Sequence, residues 1–139
     1  MSSVGFIGLG NVGSKLAGTV VRSGTSTMVL DLDPNAMAQL VAAGAKPAQS
    51  PADLARNCDI VITCLPSPAV VAEVMESTDG VLAGLTPDSI WVEMSTTDAQ
   101  EVLRLSARVA RSRGPCCGLS GLRRLPPRRH GQHFDFRRV

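Results

Sequence analysis

The sequence contains no tyrosine, one tryptophan and three phenylalanines, so aromatic residues make up only 3% of its 139 positions. Hydrophobic residues nevertheless reach 44%, which predicts a core of aliphatic side chains and alanine. The sequence also lacks any apolar run near the roughly 20 residues that span a bilayer, and its N-terminus has the pattern of a strand rather than of a signal peptide. We therefore expect one globular domain in the cytosol, without membrane association.

The sequence lacks a metal-ligand spacing among its four cysteines. Cys58 and Cys64 lie inside an alternating α/β pattern, whereas Cys116 and Cys117 are adjacent. Neither arrangement has the spacing of a zinc site. We expect reduced thiols and no metal centre.

An apolar run near the N-terminus breaks into a Gly-x-Gly-x-x-Gly turn and continues as a helix, over Val4–Gly13. In a dinucleotide site, Gly8 would let the chain turn sharply, Gly10 would let a pyrophosphate approach the backbone, and Gly13 would let the helix pack closely on the strand. The unpaired amides that would face this phosphate belong to Leu9, Gly10, Asn11 and Val12. The alternative is a glycine-rich turn that binds no ligand, so the sequence around the motif must decide between the two interpretations.

Asp31 provides that context. A second strand, Thr27–Asp31, completes a βαβ unit and ends in this acidic residue, 23 positions after Gly8. Roughly 20 residues are expected between the glycines and the acid that binds a ribose, although a helix cap or solvated turn is the alternative role. A carboxylate there would repel a 2′-phosphate, and Leu32 offers no compensating cation. We therefore expect NAD in preference to NADP.

The rest of the pattern predicts an open parallel sheet. Helix starts with a capping residue before proline occur at Asp33-Pro34 and Ser50-Pro51, and a short strand lies between them at 45–49. Two apolar runs, 59–66 and 89–94, are typical of strands covered on both faces. About five strands alternating with helices indicate a doubly wound parallel α/β sheet.

Leu65 and Pro66 end the first of these apolar runs. The carboxyl ends of the strands face the ligand crevice in such a sheet, so both residues would line the cofactor site. A Leu-Pro pair that merely ends a strand is an equal alternative.

Three hydroxyl residues, 95–97, follow the second apolar run. Thr97 and Gln100 have the spacing of a capping box, so at least one hydroxyl is expected to be structural. Ser95 and Thr96 are then free to face a ligand.

Three segments, Gly5–Gly13, Cys64–Ser67 and Glu93–Thr97, resemble the β-hydroxyacid dehydrogenase family in their residues, order and spacing. This family includes 3-hydroxyisobutyrate and 6-phosphogluconate dehydrogenases. The resemblance covers residues 1–113 and implies the NAD(P)-binding Rossmann fold of an oxidoreductase. The resemblance implies that Leu65 and Pro66 contact the cofactor. It also implies that Val70 lies near the nicotinamide end of the cofactor and that Thr96 approaches the nicotinamide. Ser95 is a candidate substrate contact.

The catalytic half of that family has no counterpart in this sequence. Its members continue with an Asp-x-Pro-Val-Ser-Gly-Gly motif that contacts substrate, a lysine that acts as general acid/base, and an all-helical domain. The lysines here are Lys15 and Lys46, and neither matches that position. Loss of such a base costs about 10² to 10⁴ in rate. We therefore expect an incomplete Rossmann fold that lacks the family's oligomer interface. It should bind the dinucleotide but should not turn over a small hydroxyacid. The alternative is a non-catalytic protein that senses nucleotides or binds a partner.

Charge and composition change abruptly near residue 114. Residues 1–113 hold 8 Lys/Arg and 11 Asp/Glu, a net charge of −3, whereas residues 114–139 hold 6 Arg and 1 Asp, a net charge of +5. If the codons from Pro115 onward are read one nucleotide later, suitable degenerate choices encode the missing Asp-x-Pro-Val-Ser-Gly-Gly motif. We therefore expect an out-of-frame, disordered tail over 114–139. Clustered arginine is also typical of nucleic-acid binding, but an unselected GC-rich frame yields the same composition, so we expect no such binding.

Overall fold

The computed structural model describes residues 2–95 and 97–112. Two predictions, the cofactor contact of Thr96 and the disordered tail over 114–139, lie outside the described residues. Within them the chain forms five strands and six helices. In chain order these are β1 (Val4–Ile7), α1 (Asn11–Arg22), β2 (Thr27–Leu30), α2 (Pro34–Ala42), β3 (Lys46–Pro47), α3 (Pro51–Asn57), β4 (Ile60–Thr63), α4 (Pro68–Glu76), α5 (Val81–Gly84), β5 (Ile90–Glu93) and α6 (Ala99–Ser112).

The strands form one parallel sheet in the order β3-β2-β1-β4-β5. The chain reverses its direction of travel across the sheet between β1 and β4. Ile7 is in register with both Leu30 and Thr63, and Thr63 is in register with Glu93, so four strands end at the same level. This arrangement confirms the predicted doubly wound sheet and places the following turns along one edge.

Aliphatic side chains cover both faces of the sheet, as the composition predicts. One cluster packs α1 and α2 on the sheet and contains Phe6, Ala17, Val29 and Leu40. The other packs α3 to α6 on the opposite face and contains Leu54, Met75, Val81 and Leu105. Among the residues that the structure describes, no helix is both long enough and apolar enough to span a membrane.

The predicted starts of α2 and α3 are confirmed by their caps. The Asp33 side chain accepts a hydrogen bond from the backbone N–H of Asn35 at 2.9 Å. The Ser50 hydroxyl accepts one from the N–H of Asp53 at 3.0 Å. A proline follows each cap at the first helical position, where its missing N–H removes no helical hydrogen bond.

The predicted capping box of Thr97 and Gln100 is wrong. The helix α6 begins at Ala99, which puts Asp98 at the capping position, and its carboxylate accepts a hydrogen bond from the N–H of Gln100 at 2.7 Å. The hydroxyl of Thr97 is buried without a hydrogen-bond partner. An aspartate directly before the helix is as strong a cap as a hydroxyl residue, so it displaces Thr97 from that role.

Candidate functional site

The turn between β1 and α1 needs glycine at two positions, because neighbouring backbone leaves no room there for a side chain. Gly8 has a φ of +95°, and a Cβ there would lie 2.1 Å from the carbonyl oxygen of Cys64. A Cβ on Gly13 would lie 2.1 Å from the carbonyl oxygen of Gly8. The sharp turn and the close packing of helix on strand therefore both depend on glycine, as the motif predicts.

Gly10 lies in open space instead. A Cβ on Gly10 would meet nothing within 4 Å, and its φ of −65° is accessible to any residue. It is the N-cap of α1, and no side chain caps the first turn of that helix. Asn11 and Val12 are exposed beside it, where the helix dipole favours an anion. Since no internal contact requires glycine here, the turn fits a ligand such as a pyrophosphate that approaches the backbone.

Asp31, which follows β2, is bound to this turn. Its Oδ2 accepts a hydrogen bond from the backbone N–H of Leu9 at 2.6 Å, and its Oδ1 accepts one from the N–H of Asp33 at 2.8 Å. The prediction that the Leu9 amide faces a phosphate is therefore wrong, because that N–H donates to the carboxylate. The contact places a half-buried acidic group beside the glycine turn, next to the fully exposed Leu32. Ribose binding by Asp31 stays a prediction.

The turn after β4 lies on the other side of the glycine turn. A Cβ on Gly8 would come within 3.0 Å of Leu65 Cδ2, so these two turns are in contact. Leu65 is half-buried and Pro66 is exposed. Val70, in the first turn of α4, is half-buried, and its N–H donates to the Ser67 hydroxyl at 3.3 Å. The cofactor contacts of Leu65, Pro66 and Val70 stay predictions.

Ser95, after β5, is bonded on both its side chain and its backbone. Its Oγ accepts a hydrogen bond from the N–H of Leu65 at 2.7 Å, and its own N–H donates to Glu93 Oε1 at 2.6 Å. The expectation of an unengaged Ser95 hydroxyl is therefore wrong, because the hydroxyl joins the turns after β4 and β5. The hydroxyl hydrogen can still be donated, so the substrate contact of Ser95 stays a prediction.

A polar network beneath these turns was missed by the sequence reasoning. The indole N–H of Trp91 donates to Thr63 Oγ1 at 2.9 Å, and the Thr63 hydroxyl donates to Glu93 Oε2 at 3.1 Å. Thr63 is fully buried and Glu93 is half-buried. The sequence contained one signal for this network. Thr63 and Glu93 are polar residues near the carboxyl ends of the two apolar runs, and parallel pairing of those strands places them side by side.

The groups with clearly displaced pKa values lie away from this crevice. Burial, reinforced by the carboxylates of Asp59 and Asp53, raises the pKa of the Cys58 thiol to about 11. Hydrogen bonding by Arg104 lowers the pKa of Glu76, near the far end of α4. Across residues 2–95 and 97–112, no cluster of three His, Cys, Asp or Glu side chains could hold a metal ion.

The parallel sheet, its reversal between β1 and β4, and the glycine turn at that point define a dinucleotide-binding α/β domain. A family model described as the NAD binding domain of 6-phosphogluconate dehydrogenase matches residues 3–119. The chain belongs to this family, as an NAD-binding domain of the 3-hydroxyisobutyrate dehydrogenase type, which confirms the resemblance in its sequence.

Similar proteins are longer than this chain. The 3-sulfolactaldehyde reductase of Escherichia coli (strain K12) is 36% identical over 107 residues, which are 77% of this chain and 36% of the relative. The solved structure of 3-hydroxyisobutyrate dehydrogenase from Salmonella typhimurium has a TM-score of 0.75 and 31% identity over 81% of this chain and 39% of that one. Psf3, solved in complex with NADP+ and 2-OPP, has a TM-score of 0.74 and 27% identity over 79% of this chain and 39% of its own. The chain spans less than two fifths of the length of each.

Proposed function

We propose that this chain binds NAD across the carboxyl edge of its sheet, with the pyrophosphate over Gly10 and the adenosine ribose at Asp31. The space over Gly10 carries the proposal, because a Cβ there would meet nothing within 4 Å while those on Gly8 and Gly13 would overlap backbone oxygens. A glycine that the fold does not need, at an uncapped helix N-terminus, is best explained by a bound phosphate group.

The preference for NAD over NADP follows from the charge at the end of β2. The Asp31 carboxylate would accept hydrogen bonds from ribose hydroxyls and repel a 2′-phosphate. Leu32, fully exposed next to it, offers no positive charge. The structural neighbour Psf3 was solved with NADP+, so the cofactor form varies among similar folds.

The chemistry of the bound cofactor is hydride transfer, and the named relatives suggest a small 3-hydroxyacid or its aldehyde as the substrate class. Neither lysine of this sequence matches the position of the family's catalytic lysine, and both are exposed, Lys15 on α1 and Lys46 on β3. We therefore propose that the chain, a cytosolic protein, binds the cofactor without oxidising a hydroxyacid by itself.

A fluorescence titration with NADH, followed by assays on 3-hydroxyisobutyrate, 3-sulfolactaldehyde and L-serine, tests both parts. Saturable NADH binding without turnover is the expected result. Turnover of any of the three would contradict the second part, and the absence of NADH and NADPH binding would overturn the first. NADH binding that responds to a separate protein partner would favour the nucleotide-sensing alternative.

The tail of the chain has an origin that the gene sequence can test. We propose that residues 114–139 are read out of frame, since their net charge of +5 follows a net charge of −3 over residues 1–113. The gene read one nucleotide later from codon 115 should encode Asp-x-Pro-Val-Ser-Gly-Gly. A gene whose shifted frame lacks that motif would show that the tail is native coding sequence.

A further inference from the structure

We propose that Glu93 is a positioning residue that holds the turns after β4 and β5 in place for the nicotinamide half of the cofactor. The proposal rests on the proposed binding of NAD across this edge of the sheet. It assigns Glu93 no contact with the cofactor; Glu93 acts through Ser95.

The hydrogen bonds of the network run in one direction, from Trp91 through Thr63 to Glu93. The indole N–H of Trp91 donates to Thr63 Oγ1, and the Thr63 hydroxyl donates its single hydrogen to Glu93 Oε2. A backbone N–H can likewise only donate, so Glu93 Oε1 accepts from Ser95. Glu93 therefore uses both oxygens as acceptors, as a carboxylate does.

These contacts hold both turns in a defined relation. Thr63 anchors the carboxylate from below, because it is fully buried at the end of β4, in register with Glu93. The carboxylate holds the backbone of Ser95 at 2.6 Å, and the Ser95 hydroxyl then holds the N–H of Leu65 at 2.7 Å. One half-buried side chain thus positions Leu65 and Ser95, which lie in two different turns and 30 positions apart in the sequence.

The strand order indicates which half of the cofactor these turns would meet. Asp31 lies beyond the glycine turn on the β2 side, whereas the turns after β4 and β5 lie on the other side of it. A dinucleotide whose pyrophosphate lies over Gly10 and whose adenosine ribose reaches Asp31 must direct its nicotinamide toward β4 and β5. The Leu65 side chain, next to Gly8, lies on that path.

The experiment compares two ligands by calorimetry, NADH and ADP-ribose, which lacks the nicotinamide ring. The variants are Glu93→Ala, Glu93→Gln, Ser95→Ala and the double variant Glu93→Ala/Ser95→Ala, with Glu76→Ala as the control. Glu76 is also a partly buried glutamate, but it binds Arg104 and Arg108 between α4 and α6, away from the crevice.

Glu93→Ala and Ser95→Ala should each weaken NADH binding by about tenfold, the usual effect of removing one charge-assisted or buried hydrogen bond, and leave ADP-ribose binding unchanged. The double variant should be little worse than either single variant, because both break the same connection. Glu93→Gln retains an oxygen for the Ser95 N–H, so it should restore most of the NADH affinity. If Glu93→Ala does not fold, Ser95→Ala carries the test, because it breaks the same connection and leaves the carboxylate in place.

Three outcomes would overturn the proposal. Unchanged NADH affinity in Glu93→Ala would show that the network does not reach the cofactor. Equal weakening of NADH and ADP-ribose, or a similar loss in Glu76→Ala, would show that Glu93 only supports the fold. Wild-type chain that binds neither ligand would overturn the proposed function itself, which the wild-type titration alone reveals.

Discussion

The backbone N–H of Leu9, in the glycine turn, donates at 2.6 Å to Oδ2 of Asp31, which lies 22 positions further along the chain and directly follows β2. The same carboxylate holds the N–H of Asp33 through its other oxygen, at 2.8 Å. The side chain expected to select the cofactor therefore also supports the turn expected to bind its phosphates. Substitutions of Asp31 should report on both effects.

Asp31→Asn and Asp31→Ala should separate the effect of the Asp31 charge on cofactor choice from the support that its side chain gives the glycine turn. In the wild type we expect NADH to bind more tightly than NADPH. Asp31→Asn keeps an oxygen that can accept from Leu9 but removes the charge, so it should narrow that preference mainly by improving NADPH binding. Asp31→Ala should weaken both ligands, by about tenfold for NADH, because the turn loses its hydrogen bond. Isothermal titration of the wild type and both variants with NADH and NADPH gives the six dissociation constants, and a wild type that prefers NADPH would show that Asp31 does not face the ribose.

Gly10→Asp should affect stability and binding in opposite directions. An aspartate at the N-cap would cap the first turn of α1 and interact favourably with the helix dipole, a gain of about 0.5 kcal/mol. The same carboxylate would repel and obstruct the pyrophosphate. Thermal melting should therefore show a slightly raised Tm, while NADH titration should show no saturable binding.

Gly13→Ala is the matched control for the stability of the same turn, because it should lower the Tm where Gly10→Asp should raise it. Its Cβ would lie 2.1 Å from the carbonyl oxygen of Gly8, so backbone must shift and the Tm should fall clearly. A Gly10→Asp variant that still binds NADH like the wild type would show that the turn is only structural.

The ion pairs between α4 and α6 should make stability fall in acid. Hydrogen bonding by Arg104, with the charge of Arg108, holds the pKa of Glu76 below its ordinary value of 4.5. A lowered folded-state pKa contributes stability that is present above 4.5 and is lost as the pH falls through the folded-state value. Glu76→Gln should therefore flatten the decline of Tm between about pH 5 and about pH 3, modestly, because the pair is partly exposed.

Glu73→Gln, an exposed position on the same helix, is the control and should decline in acid like the wild type. If Glu76→Gln and the wild type lose Tm in parallel, the ion pairs contribute nothing measurable to stability.

Cys58 should resist alkylation in the native protein. Its side chain is 4% exposed, and burial raises the pKa of its thiol to about 11, so little reactive thiolate exists at neutral pH. Peptide mapping after iodoacetamide treatment should find Cys58 unmodified in buffer and modified in urea. Labelling of Cys58 at equal rates in both conditions would contradict its buried position.

Local features of the chain were predictable because they depend on neighbouring residues. The Asp33 and Ser50 caps precede prolines, which marks helix starts, and Gly8 adopts the positive φ that the motif requires. The short helix α5 has no such local mark, since its N-cap is Gly80, which makes no side-chain hydrogen bond to the first turn. Its close packing on α3, where a Cβ on Gly84 would lie 2.1 Å from the carbonyl oxygen of Ala52, is a tertiary contact that no local pattern contains.

The sequence by itself determined the alternation of five strands with helices along the chain, the glycine turn and the acidic residue that follows β2, because periodicity, caps and spacing are properties of adjacent residues. Only the tertiary structure decided the hydrogen-bond partners: Leu9 for Asp31, and Thr63 and Ser95 for Glu93. Those partners depend on which strands are neighbours and in what register, as β2 and β4 are on either side of β1. Strand order arises from the burial of both sheet faces, which involves the whole domain at once.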